Sequence, residues 1–336
     1  MRTRPEQGSD MTVTCIRAVK KITRSYLAGP GLLAAILLIQ SCASAEFRTT
    51  PVVQSLAETP AVNSISRVQG DEVLKIMTLN IAHGRGEGFH QLLQNGAEAQ
   101  SNLDAIATLL KQQHPDIAAL QEADGPSYWS GDIDHVEYLA MQGAFSHYVR
   151  ANHVNGYGLF YGTAFISNLE MNYPEAITFE PELSMAPKGF IVATVTWPGE
   201  PCVELDVVSV HLDFSSEAIR RRQAAELVDI LRTRSRPMVV MGDFNTRWVK
   251  ENSALHLITQ ELGLSPYKPG QAGLETFARF GHRLDWVLIS PGFEFHSYNV
   301  INDKVSDHRA VVAELALNRE VHAGRPSESC VARQGE

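Results

Sequence analysis

Met238-Val239-Val240-Met241-Gly242-Asp243-Phe244-Asn245 opens with an unbroken apolar run and breaks off in Gly-Asp-x-Asn. A short continuous apolar run predicts a strand buried on both faces. Polar residues at the end of such a strand are costly unless they pair or bind something. The same break recurs along the chain. Val73–Ile81 finishes at Asn80, Ile117–Gln121 runs into Glu122, and Leu205–His211 ends in His211 with Asp213 beyond. Near the end, Ser306-Asp307-His308 leads into the apolar run Ala310–Leu315.

Working outward, further strands are predicted at Thr163–Ser167, Phe190–Trp197 and Leu284–Ile289 from their β-branched and apolar content. Helical periodicity marks Asn102–Gln113, with Ser101 and Asp104 as a capping-box pattern, and Glu217–Arg234, with Ser215 or Ser216 as its cap. Many strands and few helices predict an α/β (α+β) chain of two packed sheets flanked by helices. From Glu72 to Leu317 there is no linker-like break.

Taken singly, each polar break has a plain structural explanation. Asn80 is a turn former, Glu122 a solvated residue after a strand, Asp-x-Asn a common turn, and Asp307 a loop cap. Taken together, these breaks would each need a separate cause, and a shared pocket supplies one cause for all. Acids hold a hard cation through oxygen, an amide orients a phosphate, and a histidine beside an acid stabilises or moves charge. That set is what metal-assisted phosphoester hydrolysis requires.

Six ordered motifs carry a resemblance. Met77-Thr78-Leu79-Asn80, Leu120-Gln121-Glu122, Val210-His211-Leu212, Gly242-Asp243-Phe244-Asn245, Leu284-Asp285 and Ser306-Asp307-His308 resemble those of the endonuclease/exonuclease/phosphatase superfamily, over about residues 72–317. The resemblance implies a four-layer α/β/β/α sandwich, two mixed sheets flanked by helices, with one active site at the sheet edge. It implies Mg²⁺ or Mn²⁺ bound mainly by Glu122 with Asn80 and Asp307, and an all-oxygen set suits these ions. Asp243 would position or deprotonate water, Asn245 would hold the phosphate, and His308 would stabilise the transferring phosphoryl group or move a proton. Asp285 would orient a histidine, either His308 or His211, and His211 would donate to a phosphate oxygen. Lys188 stands where many relatives carry arginine, so it is a candidate substrate contact. Tyr161 and His83 are candidates for the pocket rim. Position 163, often asparagine in relatives, is threonine here. Trp129, in the loop after Glu122, is a candidate for substrate choice or for loop packing.

The N-terminal stretch differs in character. Arg17, Lys20, Lys21 and Arg24 precede an apolar run from Leu27 to Ile39 that contains Pro30. The run is too short to span a bilayer comfortably and reads as a secretion signal over residues 1–45. Leu38-Ile39-Gln40-Ser41-Cys42 resembles a lipoprotein box, with Cys42 the lipidation site, and Ala43-Ser44-Ala45 offers ordinary cleavage instead. Residues 46–71 are expected to be a flexible tether and 318–336 a disordered tail. The expected place is the bacterial cell envelope, lipid-anchored and facing the periplasm, or otherwise soluble after export. A monomer with no obligate protein partner is expected.

The whole chain carries −9, and residues 1–45 hold six Arg/Lys against two acids, so removing that +4 segment leaves −13. Such a surface gains no counterion-release advantage on duplex DNA. A phospholipid headgroup or a soluble organic phosphate therefore suits the chain better than a duplex, with nucleic acid still open as a partner. The competing class is a noncatalytic lipoprotein that uses the fold for binding. Every metal acid and the last histidine are present, which disfavours it. Of four cysteines, Cys202 and Cys330 remain for pairing, and no Cys/His spacing suggests zinc.

Overall fold

The computed structural model describes residues 48–56, 73–88, 96–181, 186–248 and 251–318. In chain order the elements are β1 (Arg48–Thr49), β2 (Val52–Ser55), β3 (Val73–Asn80), α1 (Gly96–Gln113), β4 (Ile117–Asp124), α2 (His135–Gly143), β5 (His147–Gly156), β6 (Leu159–Ser167) and β7 (Asn172–Thr178). There follow β8 (Gly189–Trp197), β9 (Glu200–His211), α3 (Glu217–Leu231), β10 (Met238–Asp243), α4 (Ala254–Leu262), β11 (Ser265–Pro266), β12 (Asp285–Ile289), β13 (Phe293–Val300) and β14 (Val311–Leu317).

The strands form two seven-stranded sheets. The first runs β1-β7-β8-β9-β10-β12-β11 and the second β13-β14-β3-β4-β6-β5-β2. Each is mixed: β9–β10 and β3–β4 are parallel, and the other pairs antiparallel. The run Met238–Met241 is buried on both faces, as its composition predicts. Val239 and Met241 enter the core between the sheets with Ile76, Phe165, Val207 and Trp197, while Val240 faces the helical layer with Leu227 and Ile258. On the opposite outer face, Leu103, Ile106 and Leu110 of α1 pack on Met77, Leu79 and Leu120. The layers are therefore α/β/β/α. Trp197 stacks on Phe293 across the central core, ring centroids 5.3 Å apart. Fully burying side chains of this kind contributes about 1.5–3 kcal/mol each.

Several boundaries differ from the sequence reading. Helix α1 starts at Gly96, six residues before the predicted Asn102, because Gly96–Ser101 is small or polar and has no apolar stripe. Ser101 and Asp104 thus lie inside the helix, and Asp104 accepts a hydrogen bond from the Tyr138 hydroxyl. Ser216 stands at the N-cap of helix α3, as expected for one of the two serines, but its side chain makes no capping bond, and Asp213 Oδ1 accepts from the amides of Ser215 and Ser216. The stretch 46–71, read as a tether, is in part sheet. Val52–Ser55 pairs with His147–Arg150, and Arg48–Thr49 pairs with Ala176–Ile177. Edge strands this short have too few residues to display a period. Residues 1–45 with Cys42, and 319–336, lie outside the described residues. Among those described, no helix is long and apolar enough to cross a membrane. Cys202 is disulfide-bonded.

Candidate active site

One rung of the first sheet assembles three polar side chains. Asp243 is the register partner of His211 across the parallel β9–β10 pair and of Asp285 across the antiparallel β10–β12 pair. The strands touch closely just before this rung. Gly242 has φ 146°, and a Cβ there would lie 2.0 Å from the Val210 carbonyl oxygen. His308, from the loop ahead of β14 in the second sheet, completes the group. Its Nδ1 lies 2.8 Å from Asp285 Oδ2 and its Nε2 3.8 Å from Asp243 Oδ2. An ionised carboxylate can only accept, so Asp285 fixes the proton on Nδ1.

The electrostatics of this group follow from burial. Asp243 is 1% exposed and Asp285 fully buried. Burial raises the Asp243 pKa to about 7, opposed by His308 and reinforced by Asp285. Burial alone would lower His308, but the Asp285 and Asp243 carboxylates outweigh it and raise the imidazole to about 10. His211 is the reverse case, held well below its ordinary value by burial and then by the Lys188 charge. Lys188 Nζ sits 3.4 Å from His211 Nδ1.

The second sheet contributes Glu122. A β-bulge between Gln121 and Ala123 and a left-handed φ of 50° turn this residue out of the strand. Burial works against its charge, yet His83, Lys188, His211 and Arg85 together hold its carboxyl below the ordinary range. Their nitrogens lie 3.5, 3.7, 4.0 and 3.5 Å from its oxygens. Arg85 also pairs with Asp307. Behind Glu122, His83 Nδ1 meets Asp124 Oδ1 at 2.7 Å, and Trp129 Nε1 donates to Asp124 Oδ2 at 2.6 Å.

Residues 77–308 match the Endonuclease/Exonuclease/phosphatase family. The chain belongs to this family. Membership makes it a phosphoester hydrolase, and members of the endonuclease/exonuclease/phosphatase family generally depend on a divalent metal. Similar solved structures include a functionally unknown conserved protein from Enterococcus faecalis V583, at 17% identity and TM-score 0.58, covering 73% of this chain and 100% of that one. The human Nocturnin catalytic domain with bound sulfate aligns at 16% identity and TM-score 0.58, over 80% of this chain and 98% of its own. Mannosyl-6-phosphatase from Bacteroides thetaiotaomicron aligns at 15% and 0.56, over 73% and 100%. At these identities the likeness is one of fold. A comparison with curated proteins returned no match.

The donor chemistry fits the family's metal in two places. Glu122 and Asp307 present carboxylate oxygens on either side of Arg85. Asp243, Asp285 and His308 offer three ligand atoms within 4.8 Å of one another, and Asp285 Oδ1 is buried without a hydrogen-bond partner among the described residues.

The fold gathers His83, Glu122, Lys188, His211, Asp243, Asp285, Asp307 and His308, and it resolves the choice left for Asp285 in favour of His308. Two amides meet at Asp243. Asn80, the candidate metal ligand, donates from Nδ2 to Asp243 Oδ2 at 3.0 Å, and its Oδ1 accepts from the Ala82 amide. Asn245, the candidate phosphate contact, donates from its side chain to the Leu212 carbonyl at 3.0 Å and to Asp243 Oδ2 at 3.3 Å. Both amides brace Asp243. Tyr161 and Trp129 pack on the His83 ring at 4.7 and 5.2 Å between centroids. Thr163 holds His153, whose Nε2 lies 2.9 Å from its hydroxyl. The six sequence motifs include neither Asp124 nor Arg85. An acid two residues after Glu122, and a base between Gly84 and Gly86 just past Asn80, were the available signals.

Proposed function

We propose that this chain is an exported, metal-dependent phosphodiesterase that cleaves a phospholipid headgroup or a soluble organic phosphate. The observation that carries the reading is the Asp243 rung, a raised carboxylate between His211 and the Asp285–His308 pair, set opposite Glu122 and Asp307. Asp243, with a pKa of about 7, is suited to accept the proton of the attacking water. Asn80 and Asn245 hold that carboxylate in line. His308 carries a proton at neutral pH and donates from Nε2 to the charge that builds on the phosphoryl oxygens. Lys188 can only donate, so His211 accepts at Nδ1 and presents its Nε2 hydrogen to a phosphoryl oxygen. A divalent ion held by Glu122 and Asp307 would supply Lewis-acid polarisation of that phosphoryl group. An imidazolium tied to Asp285 is a donor and not a ligand, which favours the Glu122 side for Mg²⁺ or Mn²⁺.

The basic, apolar N-terminal pattern and the disulfide at Cys202 support export, and the box ending in Cys42 supports lipid anchoring. Hydrolysis should be measured on bis-p-nitrophenyl phosphate, p-nitrophenyl phosphate, plasmid DNA, sphingomyelin and phosphatidylinositol, with Mg²⁺, Mn²⁺ or chelator. Metal-dependent cleavage that Asp243→Asn lowers by about 10²–10⁴-fold supports the reading. Cleavage of the monoester alone replaces diesterase with phosphatase, and activity undiminished in Asp243→Asn overturns the assignment. Radiolabelled lipid on wild type but not on Cys42→Ser tests the anchor.

A further inference from the structure

A second histidine–carboxylate pair stands across the pocket from Asp285 and His308, and the mechanism above leaves it without a task. Asp124 is fully buried, and both of its oxygens are engaged, by His83 Nδ1 at 2.7 Å and by Trp129 Nε1 at 2.6 Å. A carboxylate can only accept from the ring, so Nδ1 carries the hydrogen, and in the neutral ring the Nε2 lone pair looks the other way. It looks at Glu122, with Nε2 3.5 Å from Oε2. The ring has little freedom to turn, because Trp129 and Tyr161 pack on it. The backbone beneath is held in an unusual state. Ala82 and His83 have φ of 51° and 54°, a conformation that costs energy in non-glycine residues and persists at functional sites.

We propose that His83 is a nitrogen ligand to the divalent ion held at Glu122, with Asp124 as its positioning residue. The inference rests on the metal-dependent reading of this site. Ligand atoms about 2.0–2.2 Å from one ion lie roughly 3–3.5 Å apart when they are neighbours in its coordination sphere, and the His83–Glu122 separation matches that spacing. A histidine that ligates a metal almost always donates its other ring hydrogen to an acceptor such as a carboxylate, and Asp124 supplies that acceptor. The other imidazole beside Glu122 fails the same test. His211 has its Nδ1 on the Lys188 ammonium, so its Nε2 bears the hydrogen and cannot bind an ion. Arg85 approaches the same Glu122 oxygen, at 3.5 Å. An ion there takes over that one contact, while the guanidinium keeps Asp307 and the Ala82 and Gly88 carbonyls. A nitrogen in an otherwise oxygen set shifts preference away from Mg²⁺ and toward Mn²⁺ or later transition ions.

Pulsed electron paramagnetic resonance on the full chain loaded with Mn²⁺ tests this directly. The expected spectrum shows the ¹⁴N coupling of a directly bound imidazole. The coupling should vanish in His83→Asn, a residue that tolerates positive φ, and persist in His211→Asn. Asp124→Asn should weaken Mn²⁺ binding by about 10–100-fold. Mn²⁺ that fails to bind, that binds without nitrogen coupling in the wild type, or that keeps its coupling in His83→Asn overturns the proposal. Hydrolysis is scored separately. Nitrogen coupling without cleavage of any phosphoester sinks the phosphodiesterase reading and leaves the ligand assignment standing. Metal-dependent cleavage without nitrogen coupling does the reverse.

Discussion

Glu122 and Asp243 are both carboxylates in one pocket, and the protein treats them in opposite ways. Glu122 is partly open, with 19% of its side chain exposed, and its basic surroundings, with the Lys188 and Arg85 cations among them, hold it ionised. Asp243 is sealed, and burial beside a second acid holds it close to half-protonated at neutral pH. The difference arises from the backbone as much as from the neighbours. A bulge and a left-handed turn push Glu122 out of its strand toward cations, whereas Asp243 stays on the ladder between His211 and Asp285. One side of the pocket is thereby suited to holding positive charge and the other to moving protons.

The sharpest way to break this contrast is to remove the proton-accepting side. Asp243→Asn should lower turnover by about 10²–10⁴-fold, the usual worth of a general base. In the wild type the rate should climb with pH through about 7, as Asp243 loses its proton, and a pH–rate profile of the variant should lack that limb. Next come His308→Gln and Asp285→Asn. Each should cost about 10²–10⁴-fold alone, and the double variant little more, since the two side chains act as a unit. Additive losses would show that they work independently. On the other side, Glu122→Gln should weaken Mn²⁺ binding by at least about 10-fold, read by calorimetry, while leaving the Asp243-dependent limb in place.

The smallest effect is on stability. His308 has a folded pKa of about 10 against an ordinary 6.5, so the folded state holds the extra proton more tightly. That contribution is complete below pH 6.5 and is lost as pH rises through 10. With chelator present, the melting temperature should decline across this window, and His308→Gln should flatten the decline.

How much of this was readable beforehand depended on where each residue's partner lay. Strands such as β10 were legible because burial on both faces leaves a continuous apolar run. The strand His147–Gly156 was missed, since Arg150, Asn152, His153 and Asn155 interrupt its pattern. Phe293–Val300 was missed for a like reason, because its alternation is broken at a bulge between Phe295 and Ser297. The acids and histidines of the site were legible as polar breaks at strand ends. Their pairings were not. Asn80 meets an acid 163 residues away in the other sheet, and Arg85 meets one 222 residues away because the distant strands β3 and β14 are neighbours in one sheet. The same holds for Asp124, whose place under His83 depends on a left-handed loop that no local preference for Ala82 or His83 would announce.

The two sheets are bolted together at the pocket end. Asn80 reaches Asp243 at 3.0 Å, Gln121 reaches Ser209 at 3.0 Å, and His308 reaches Asp285 at 2.8 Å, each bond crossing from one sheet to the other. Glu122, which faces the cations, and Asp243, which takes the proton, are thus mounted on separate plates, and the thickness of the greasy layer between them sets the gap. A methyl group added or removed around Met241, two residues before Asp243 in the layer between the sheets, would act as a shim, altering the spacing between the two halves of the chemistry without touching a single charge.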